Sequence, residues 1–324
     1  MAFLKKQTTP LVEIYHKLFE IKNIRVWVKL DYQNHPHIQG NKLHKLELNL
    51  AQLKQQQKTS LLTFGGAYSN HIAATAAAAK ALNVDAIGII RGDELETQYE
   101  KWSSTLKLAK HNGMKLQFVS RAEYRQRHNE TYLNALKAQY PNCYILPEGG
   151  TNLLAVKGFQ YLMNDIQTQN PNWTHLYTAV GTGGTLAGLS YYSSQIPSSP
   201  SCSEINRKII GISTIKNGGY LENEIKQYIR QIYKDEHGSD LQTNSICHWT
   251  LLTQYHHGGY AKQSKQLKTF INQFESTHNI PLDPIYTGKM FYAFFEELAA
   301  GNIAENSQVI LYHSGGLQGI TSNN

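Results

Sequence analysis

Short apolar runs alternate with longer stretches of helical periodicity along almost the whole chain, and this alternation restricts the fold more than any other feature. The runs at 25–30, 61–64 and 84–90, for example, are each followed by a helix-like stretch. Strands in this order pair in parallel through crossover helices, because a tight hairpin cannot join parallel neighbours. The sequence therefore predicts an α/β fold with parallel-rich sheets covered by helices.

The same periodicities place the individual elements. Predicted strands lie at 25–30, 61–64, 84–90, 115–119, 143–146, 176–180, 208–212 and 309–312. Predicted helices begin at 42 and 185 and lie at 69–82, 94–111, 130–140, 153–167, 220–233, 261–278 and 289–300.

Glycine turns follow three of the predicted strands, and the carboxyl ends of parallel strands are where α/β proteins bind ligands. The central turn, Gly181-Thr182-Gly183-Gly184-Thr185, also opens a predicted helix, so its amides can hold a phosphate. A tight strand-to-helix turn is the alternative. The turn is neither a Rossmann fingerprint nor a P-loop, because Leu186 replaces the third glycine and no Gly-Lys-Ser/Thr follows.

A lysine stands at another predicted helix start. Gly40 and Asn41 precede Lys42, and Asn41 is expected to cap the helix with its side chain. A helix N-terminus, neighbouring lysines and desolvation would favour the neutral amine that forms imines, which makes Lys42 a candidate Schiff-base residue. On these residues alone, a solvated lysine-rich helix start is the commoner case.

The other candidate site residues also have common structural roles. Ser69 and Asn70 stand at a helix start where a substrate carboxylate and a ring hydroxyl could bind, yet Ser69 is also a normal N-cap. Tyr286 is a candidate acid/base phenol, although a core or interface role is commoner for one tyrosine among 20.

Composition limits the classes of partner. The 324 residues suggest about two domains, and 31 basic against 24 acidic side chains give a net charge of +7. The lysines are scattered, without the basic and aromatic stripe of a nucleic-acid binder. No uncharged run is long enough to span a bilayer. Cys143, Cys202 and Cys247 form no Cys-x-x-Cys pair, so we expect no disulfide framework, no thiolate metal site and a reduced cytoplasmic location.

Six segments together resemble the 1-aminocyclopropane-1-carboxylate deaminase/D-cysteine desulfhydrase family, in the order of that family. They are Gly-Asn-Lys-Leu-His-Lys-Leu-Glu (40–47), Ser-Asn-His (69–71), Gly-Gly-Thr-Asn (149–152), Gly-Thr-Gly-Gly-Thr-Leu-Ala-Gly-Leu (181–189), Leu-Asp-Pro-Ile-Tyr-Thr-Gly-Lys (282–289) and His-Ser-Gly-Gly (313–316). The resemblance implies a pyridoxal-phosphate enzyme of the tryptophan synthase β-subunit fold, acting on a small amino acid as a homodimer. It also implies a smaller domain, 46–155, inserted into a larger one formed by 1–45 and 156–324, with the cofactor between them.

The resemblance also assigns residues. It implies that Lys42 is the Schiff-base lysine, that Asn70 meets the ring hydroxyl of the cofactor and that Ser314 meets the pyridine nitrogen. The phosphate cup is then Gly181, Thr182, Gly183, Gly184 and Thr185. The residues implied on the substrate side are Ser69, Asn70, His71, Tyr260 and Tyr286, of which Ser69, Tyr260 and Tyr286 are candidates for catalysis together with Lys42.

Three positions depart from the family pattern. Tyr68 replaces a glutamine, His44 replaces an arginine, and Thr287 stands where the deaminases carry a glutamate. Thr287 and the neutral Ser314 favour β-elimination from D-cysteine to pyruvate, ammonia and sulfide. Ring opening of 1-aminocyclopropane-1-carboxylate, phospho-ligand binding without turnover, and nucleic-acid binding are the alternatives.

Overall fold

The computed structural model describes residue 4 and residues 7–196, 207–241 and 248–319. Cys202 and Cys247 lie outside these residues. The described strands are β1 (Leu11–Ile14), β2 (Arg25–Lys29), β3 (Ser60–Gly65), β4 (Asp85–Arg91), β5 (Lys115–Val119), β6 (Cys143–Ile145), β7 (His175–Val180), β8 (Lys208–Ser213), β9 (His248–Leu252) and β10 (Gln308–Tyr312).

The α-helices lie between these strands in the chain. They are α1 (Lys17–Ile21), α2 (Asn41–Gln55), α3 (Asn70–Leu82), α4 (Ser104–His111), α5 (Arg121–Tyr124), α6 (Glu130–Gln139), α7 (Leu153–Lys157), α8 (Gln160–Gln169), α9 (Gly184–Ser194), α10 (Leu221–His237), α11 (Lys265–His278) and α12 (Thr287–Ala299).

The strands form two sheets, as the alternation predicts. A four-stranded sheet has the order β5-β4-β3-β6 and is parallel throughout. A six-stranded sheet has the order β1-β2-β10-β7-β8-β9, in which β1 alone runs antiparallel to its neighbour. The smaller sheet uses strands between Ser60 and Ile145, and the larger sheet uses those before and after. The exact domain boundaries at 46 and 155 stay a prediction.

Both faces of the larger sheet are covered by apolar side chains. Along β10, Val309 and Leu311 point into one core, whereas Ile310 and Tyr312 point into the other. All four are fully buried, which explains why this strand reads as a continuous apolar run rather than as an alternating one.

Several predicted elements differ from the structure. The predicted helix 94–111 is two short 3-10 turns followed by α4, because the Ser103 hydroxyl accepts from the amide of Leu106 and starts a new helix. The predicted helix 153–167 is divided into α7 and α8 near Gly158, where α2 approaches so closely that a Cβ would lie 2.0 Å from His44 O. The edge strands β1 and β9 were not predicted from the sequence.

Candidate active site

The start of α2 is pressed against the loop that follows β10. Gly40 has φ +61°, and a Cβ there would lie 2.0 Å from the carbonyl oxygen of Ser314. The next amide, that of Asn41, donates to the same oxygen at 3.1 Å. Glycine is therefore required for both the backbone angle and the close approach, and this contact fixes where the lysine helix begins.

The expected capping role of Asn41 is wrong. Asn41 is the first residue of α2, Gly40 occupies the cap position, and no side chain caps the helix. Instead the Asn41 side chain reaches across the cleft, where Nδ2 donates to Thr185 Oγ1 at 3.0 Å and Oδ1 accepts from Lys42 Nζ at 2.8 Å. Asn41 thus links the lysine to the glycine turn, because the neighbouring loop leaves the helix start no room for a side-chain cap.

The environment of Lys42 suits a reactive amine. Burial lowers the pKa of Lys42 to about 8, although the charge of Asp283 acts in the opposite direction. At neutral pH about one tenth of such amines is uncharged, compared with fewer than about one in a thousand for an ordinary lysine. The neutral amine is the form that attacks carbonyl groups.

The glycine turn after β7 forms a cup of backbone amides at the start of α9. Gly183 has φ +76° and caps the helix, and a Cβ there would lie 2.9 Å from Ile225 Cγ1. Gly184 lies against Thr151, where a Cβ would come within 2.5 Å of Cγ2. The backbone is thus exposed to the cleft on one side and tightly packed on the other, as an anion site at a helix N-terminus requires.

Lys45 also faces this cup, although the sequence reasoning did not include it among the site residues. Its Nζ donates to Thr151 Oγ1 at 2.8 Å, to Gly149 O at 3.1 Å and to Thr182 Oγ1 at 3.3 Å. Burial, followed by the charge of Lys42, holds the pKa of Lys45 well below its usual value. The sequence signal for Lys45 was its spacing of three residues from Lys42, because residues three apart on a helix share a face.

The start of α3 presents the polar residues predicted after β3. Ser69 is the N-cap, as its ordinary role predicts, and accepts from the Ile72 amide. Asn70 Oδ1 is buried without a hydrogen-bond partner among the described residues. His71 is fully buried, with a ring nitrogen 2.8 Å from Thr63 Oγ1. Burial and then the charges of Lys42 and Lys45 hold the pKa of His71 well below its usual value, so the ring is neutral.

Tyr286 is held by a buried carboxylate. Asp283 Oδ2 accepts from the amides of Ile285 and Tyr286, both at 3.0 Å. Asp283 Oδ1 accepts from the amide and the hydroxyl of Thr287, both at 2.7 Å. Burial, followed by the phenol of Tyr260, raises the pKa of Tyr286 well above its usual value, so this phenol keeps its proton at neutral pH.

Tyr260 lies beside Tyr286, with the two ring centroids 6.3 Å apart. Burial raises the pKa of Tyr260 to about 12. The turn that carries it is fixed by Lys289, whose buried Nζ donates to Gly259 O at 2.8 Å and to Thr214 O at 3.2 Å. Lys289 is a second residue that the sequence reasoning did not single out, since nothing local shows which loop its amine will meet.

One cleft brings most of the predicted residues together. It is lined by Lys42, Ser69, Asn70, His71, Gly181, Thr182, Gly183, Thr185, Tyr286 and Ser314, along with Asn41, Lys45 and others. Gly184 lies behind the cup, and Tyr260 lines the adjoining cavity instead. The cleft thus combines a low-pKa amine, an amide cup and an unpaired Asn70 amide oxygen. These groups fit a phosphorylated aldehyde that carries a ring hydroxyl.

A sequence model described as pyridoxal-phosphate dependent enzyme matches residues 3–315. The chain belongs to the pyridoxal-phosphate dependent enzyme family. The cofactor predicted from the motifs is therefore confirmed, and the alternatives of a non-catalytic phospho-ligand protein and a nucleic-acid binder are set aside.

Relatives within this family carry the names expected from the resemblance. A bifunctional D-cysteine desulfhydrase/1-aminocyclopropane-1-carboxylate deaminase of Arabidopsis thaliana is 25% identical over 310 residues, covering 91% of this chain and 73% of the relative. A D-cysteine desulfhydrase of Serratia proteamaculans is 25% identical over 315 residues, covering 95% and 91%.

A crystal structure described as an ACC deaminase homologue has the same fold. It superposes with a TM-score of 0.81 at 26% identity and covers 98% of this chain and 91% of its own. The pyridoxal-phosphate enzyme described here therefore has the predicted α/β fold. Among the described residues, no helix is long and apolar enough to cross a membrane, and no cluster of three or more His, Cys, Asp or Glu side chains could hold a metal.

Proposed function

We propose that this pyridoxal-phosphate enzyme catalyses β-elimination from a small D-amino acid with a good β-leaving group, with D-cysteine as the type substrate. The observation that carries this proposal is the position of Thr287. Its hydroxyl is fully buried and donates to Asp283, so no carboxylate follows Tyr286 in the chain to act on its phenol. Ring opening in the deaminases, by the resemblance, pairs the tyrosine with a glutamate at this position.

The residues of the cleft divide into two groups in this proposal. Lys42 Nζ would hold the cofactor covalently, the amides of 181–185 and the Nζ group of Lys45 would donate to its phosphate, and Asn70 and Ser314 would contact its ring. When bound, pyridoxal phosphate supplies an electron sink for bonds broken at the α-carbon of the substrate. A neutral hydroxyl at Ser314 would leave the pyridine ring less electron-withdrawing than a carboxylate partner would. A less electron-withdrawing ring favours prompt loss of a leaving group.

The remaining side chains would move protons and orient the substrate. Lys42 Nζ, with a pKa of about 8, can accept the α-proton at neutral pH. Tyr286 keeps its proton at neutral pH, because burial raises the pKa of the phenol, and its hydroxyl would donate a hydrogen bond to the departing sulfur as the proton is transferred. Ser69 and the amides at the start of α3 would hold the substrate carboxylate.

Steady-state rates on a substrate panel test this proposal. Pyruvate release from D-cysteine, L-cysteine, β-chloro-D-alanine and D-serine is compared with 2-oxobutanoate release from 1-aminocyclopropane-1-carboxylate. We expect D-cysteine and β-chloro-D-alanine to give the highest kcat/KM. A higher kcat/KM for the cyclopropane substrate would replace this proposal by the deaminase, the second candidate that the named relatives support.

We also propose, on the resemblance alone, that the enzyme is a cytoplasmic homodimer with a domain boundary near residues 46 and 155. Sedimentation equilibrium of the holoenzyme would give the mass of the assembly directly. A monomer at micromolar concentration would refute the dimer.

A further inference from the structure

A second cavity opens directly from the cofactor cleft. It shares Ser69, Gly149, Gly181, Thr182 and Tyr286 with the cleft. Beyond these shared residues it continues between Tyr220, Tyr228 and Tyr260. Cysteine is too small to fill both spaces. The second cavity therefore offers room for a substituent attached beyond the β-carbon of the substrate.

Most charges in this cavity are already paired. Arg127 Nε meets Glu148 Oε2 at 2.7 Å, and Tyr124 OH donates to the other oxygen of Glu148 at 2.6 Å. The charges of Arg127 and Glu148 both act on the carboxylate of Glu224, so Glu224 lies near this pair. Burial is the main cause that raises the pKa of Glu224. His128 is neutral at pH 7, since burial and then Arg127 lower its pKa.

Arg91 differs from these groups. It stands at the carboxyl end of β4, and its side chain has no hydrogen bond or ion pair with any residue that the structure describes. Its guanidinium carbon lies 5.8 Å from the centroid of the Tyr124 ring. Its Nη2 lies 3.4 Å from the position that a Cβ on Gly66 would occupy, in the turn leading to Ser69. Its positive charge also acts on the Tyr260 phenol. The uncompensated charge of Arg91 therefore lies beside the substrate-side residues.

We propose that Arg91 binds an anionic group on the β-substituent of the substrate, so that the substrates include cysteine derivatives whose sulfur carries a carboxylate chain. A guanidinium suits this role because it can hold a carboxylate through two parallel hydrogen bonds. The inference rests on the proposed β-elimination. For S-carboxymethyl-D-cysteine, the α-proton is removed and the Cβ–S bond breaks with its electron pair leaving on sulfur. With one water consumed, the products are pyruvate, ammonia and mercaptoacetate.

A pair of substrates with the same shape isolates the charge. S-carboxymethyl-D-cysteine carries the anion, and S-carboxamidomethyl-D-cysteine replaces it by a neutral amide. We expect kcat/KM of the holoenzyme to favour the anionic substrate, and Arg91→Gln to lower that preference about 10-fold, mainly through KM. The estimate is at the low end for a charged hydrogen bond because Arg91 is exposed. Arg91→Lys should restore part of the preference.

Arg121→Gln is the matched control. Arg121 lines a neighbouring cavity with Arg91 but is paired with Glu94. This variant should keep the wild-type preference. An unchanged preference in Arg91→Gln, or an equal loss with both substrates, would overturn the role of Arg91.

A binding measurement separates this inference from the reaction. D-2-aminoadipate and its side-chain amide replace the sulfur by a methylene, so they bind without a leaving group. Calorimetry on the holoenzyme should show tighter binding of the acid, lost in Arg91→Gln. Selective binding without elimination from any panel substrate would refute the proposed function but keep the Arg91 site. Elimination from D-cysteine without selective binding of the acid would support the proposed function but refute the Arg91 site.

Discussion

At the scale of single residues, the site depends on what burial does to proton affinities. Burial lowers the pKa values of Lys42 and Lys45 and raises that of Tyr286. In each case the shift is toward the neutral form, because a charged group loses more hydration than a neutral one when it leaves water. At neutral pH the cleft therefore holds an amine that is partly uncharged and a phenol that keeps its proton.

The lowered pKa of Lys42 predicts how fast the apoenzyme takes up cofactor at different pH values. Because only the neutral amine reacts, the rate should rise about tenfold per pH unit below pH 8 and level off above it. Stopped-flow absorbance at fixed cofactor concentration measures this rate. Lys54→Met, an exposed site in the last turn of α2, should leave the profile unchanged. A rate that keeps rising to pH 10 would show that Lys42 has an ordinary pKa.

Tyr286→Phe tests the proton donor. General acid catalysis is typically worth about a hundredfold to ten-thousandfold, so the variant should lose about 3 to 5 kcal/mol of barrier reduction in kcat. Cofactor affinity, measured by equilibrium dialysis, should be nearly unchanged. Tyr292→Phe, on the outer part of α12, provides a control that should keep full activity. A Tyr286→Phe variant with near-normal kcat would remove the phenol from the mechanism.

At the scale of elements, three glycine turns at strand ends bring the site together. They follow β3, β7 and β10, and beside each of them an added Cβ on a glycine would lie 3.0 Å or less from an atom of another residue. The approach of Gly40 to the Ser314 carbonyl is the clearest case, since any side chain at Gly40 would collide with the backbone. The positions of Lys42 and Ser314 are thereby coupled through backbone contacts.

Gly183→Ala tests the amide cup against a matched glycine. Gly183 and Gly238 both have positive φ, +76° and +68°, so alanine costs about 1 to 2 kcal/mol of backbone strain at either site. A Cβ at Gly238 meets nothing within 4 Å, whereas one at Gly183 meets Ile225 at 2.9 Å. We expect both variants to lose stability in urea, but only Gly183→Ala to bind pyridoxal phosphate more weakly. Equal cofactor affinity in the two variants would contradict the placement of the phosphate.

At the scale of the whole molecule, the cleft lies between elements of both sheets. Asn70 and Ser69 follow a strand of the four-stranded sheet, whereas Gly181 and Ser314 follow strands of the six-stranded sheet. A ligand that touches all of them should therefore stabilise both parts of the fold together.

Hydrogen exchange can measure that coupling. Cofactor at about 100 times its Kd should add about 2.7 kcal/mol to the free energy of unfolding. Exchange should slow at the starts of both α3 and α9, and less at α6, which lies away from the cleft. Protection confined to one sheet would contradict a cofactor site shared by the two.

The sequence by itself determined eight of the ten described strands, the parallel pairing of these eight and the positions of the glycine turns. These features are local, because periodicity reports burial along one element and glycine reports one backbone angle. The strand at 176–180 and the turn at 181–185 needed no tertiary information, and the motif order was enough to indicate the family. Edge strands such as β1 gave a weaker signal, since one side of the strand faces water.

Only the tertiary structure decided which side chains meet. Asn41 lost its expected capping role because the loop at Ser314 occupies that space, and Lys45 joined the site because α2 lies against the 149–151 turn. Arg91 and Lys289 gained their surroundings from other segments of the chain, at Gly66 and Gly259. A proton affinity or an unpaired charge depends on every neighbour in space, and that information is absent from the local pattern of residues.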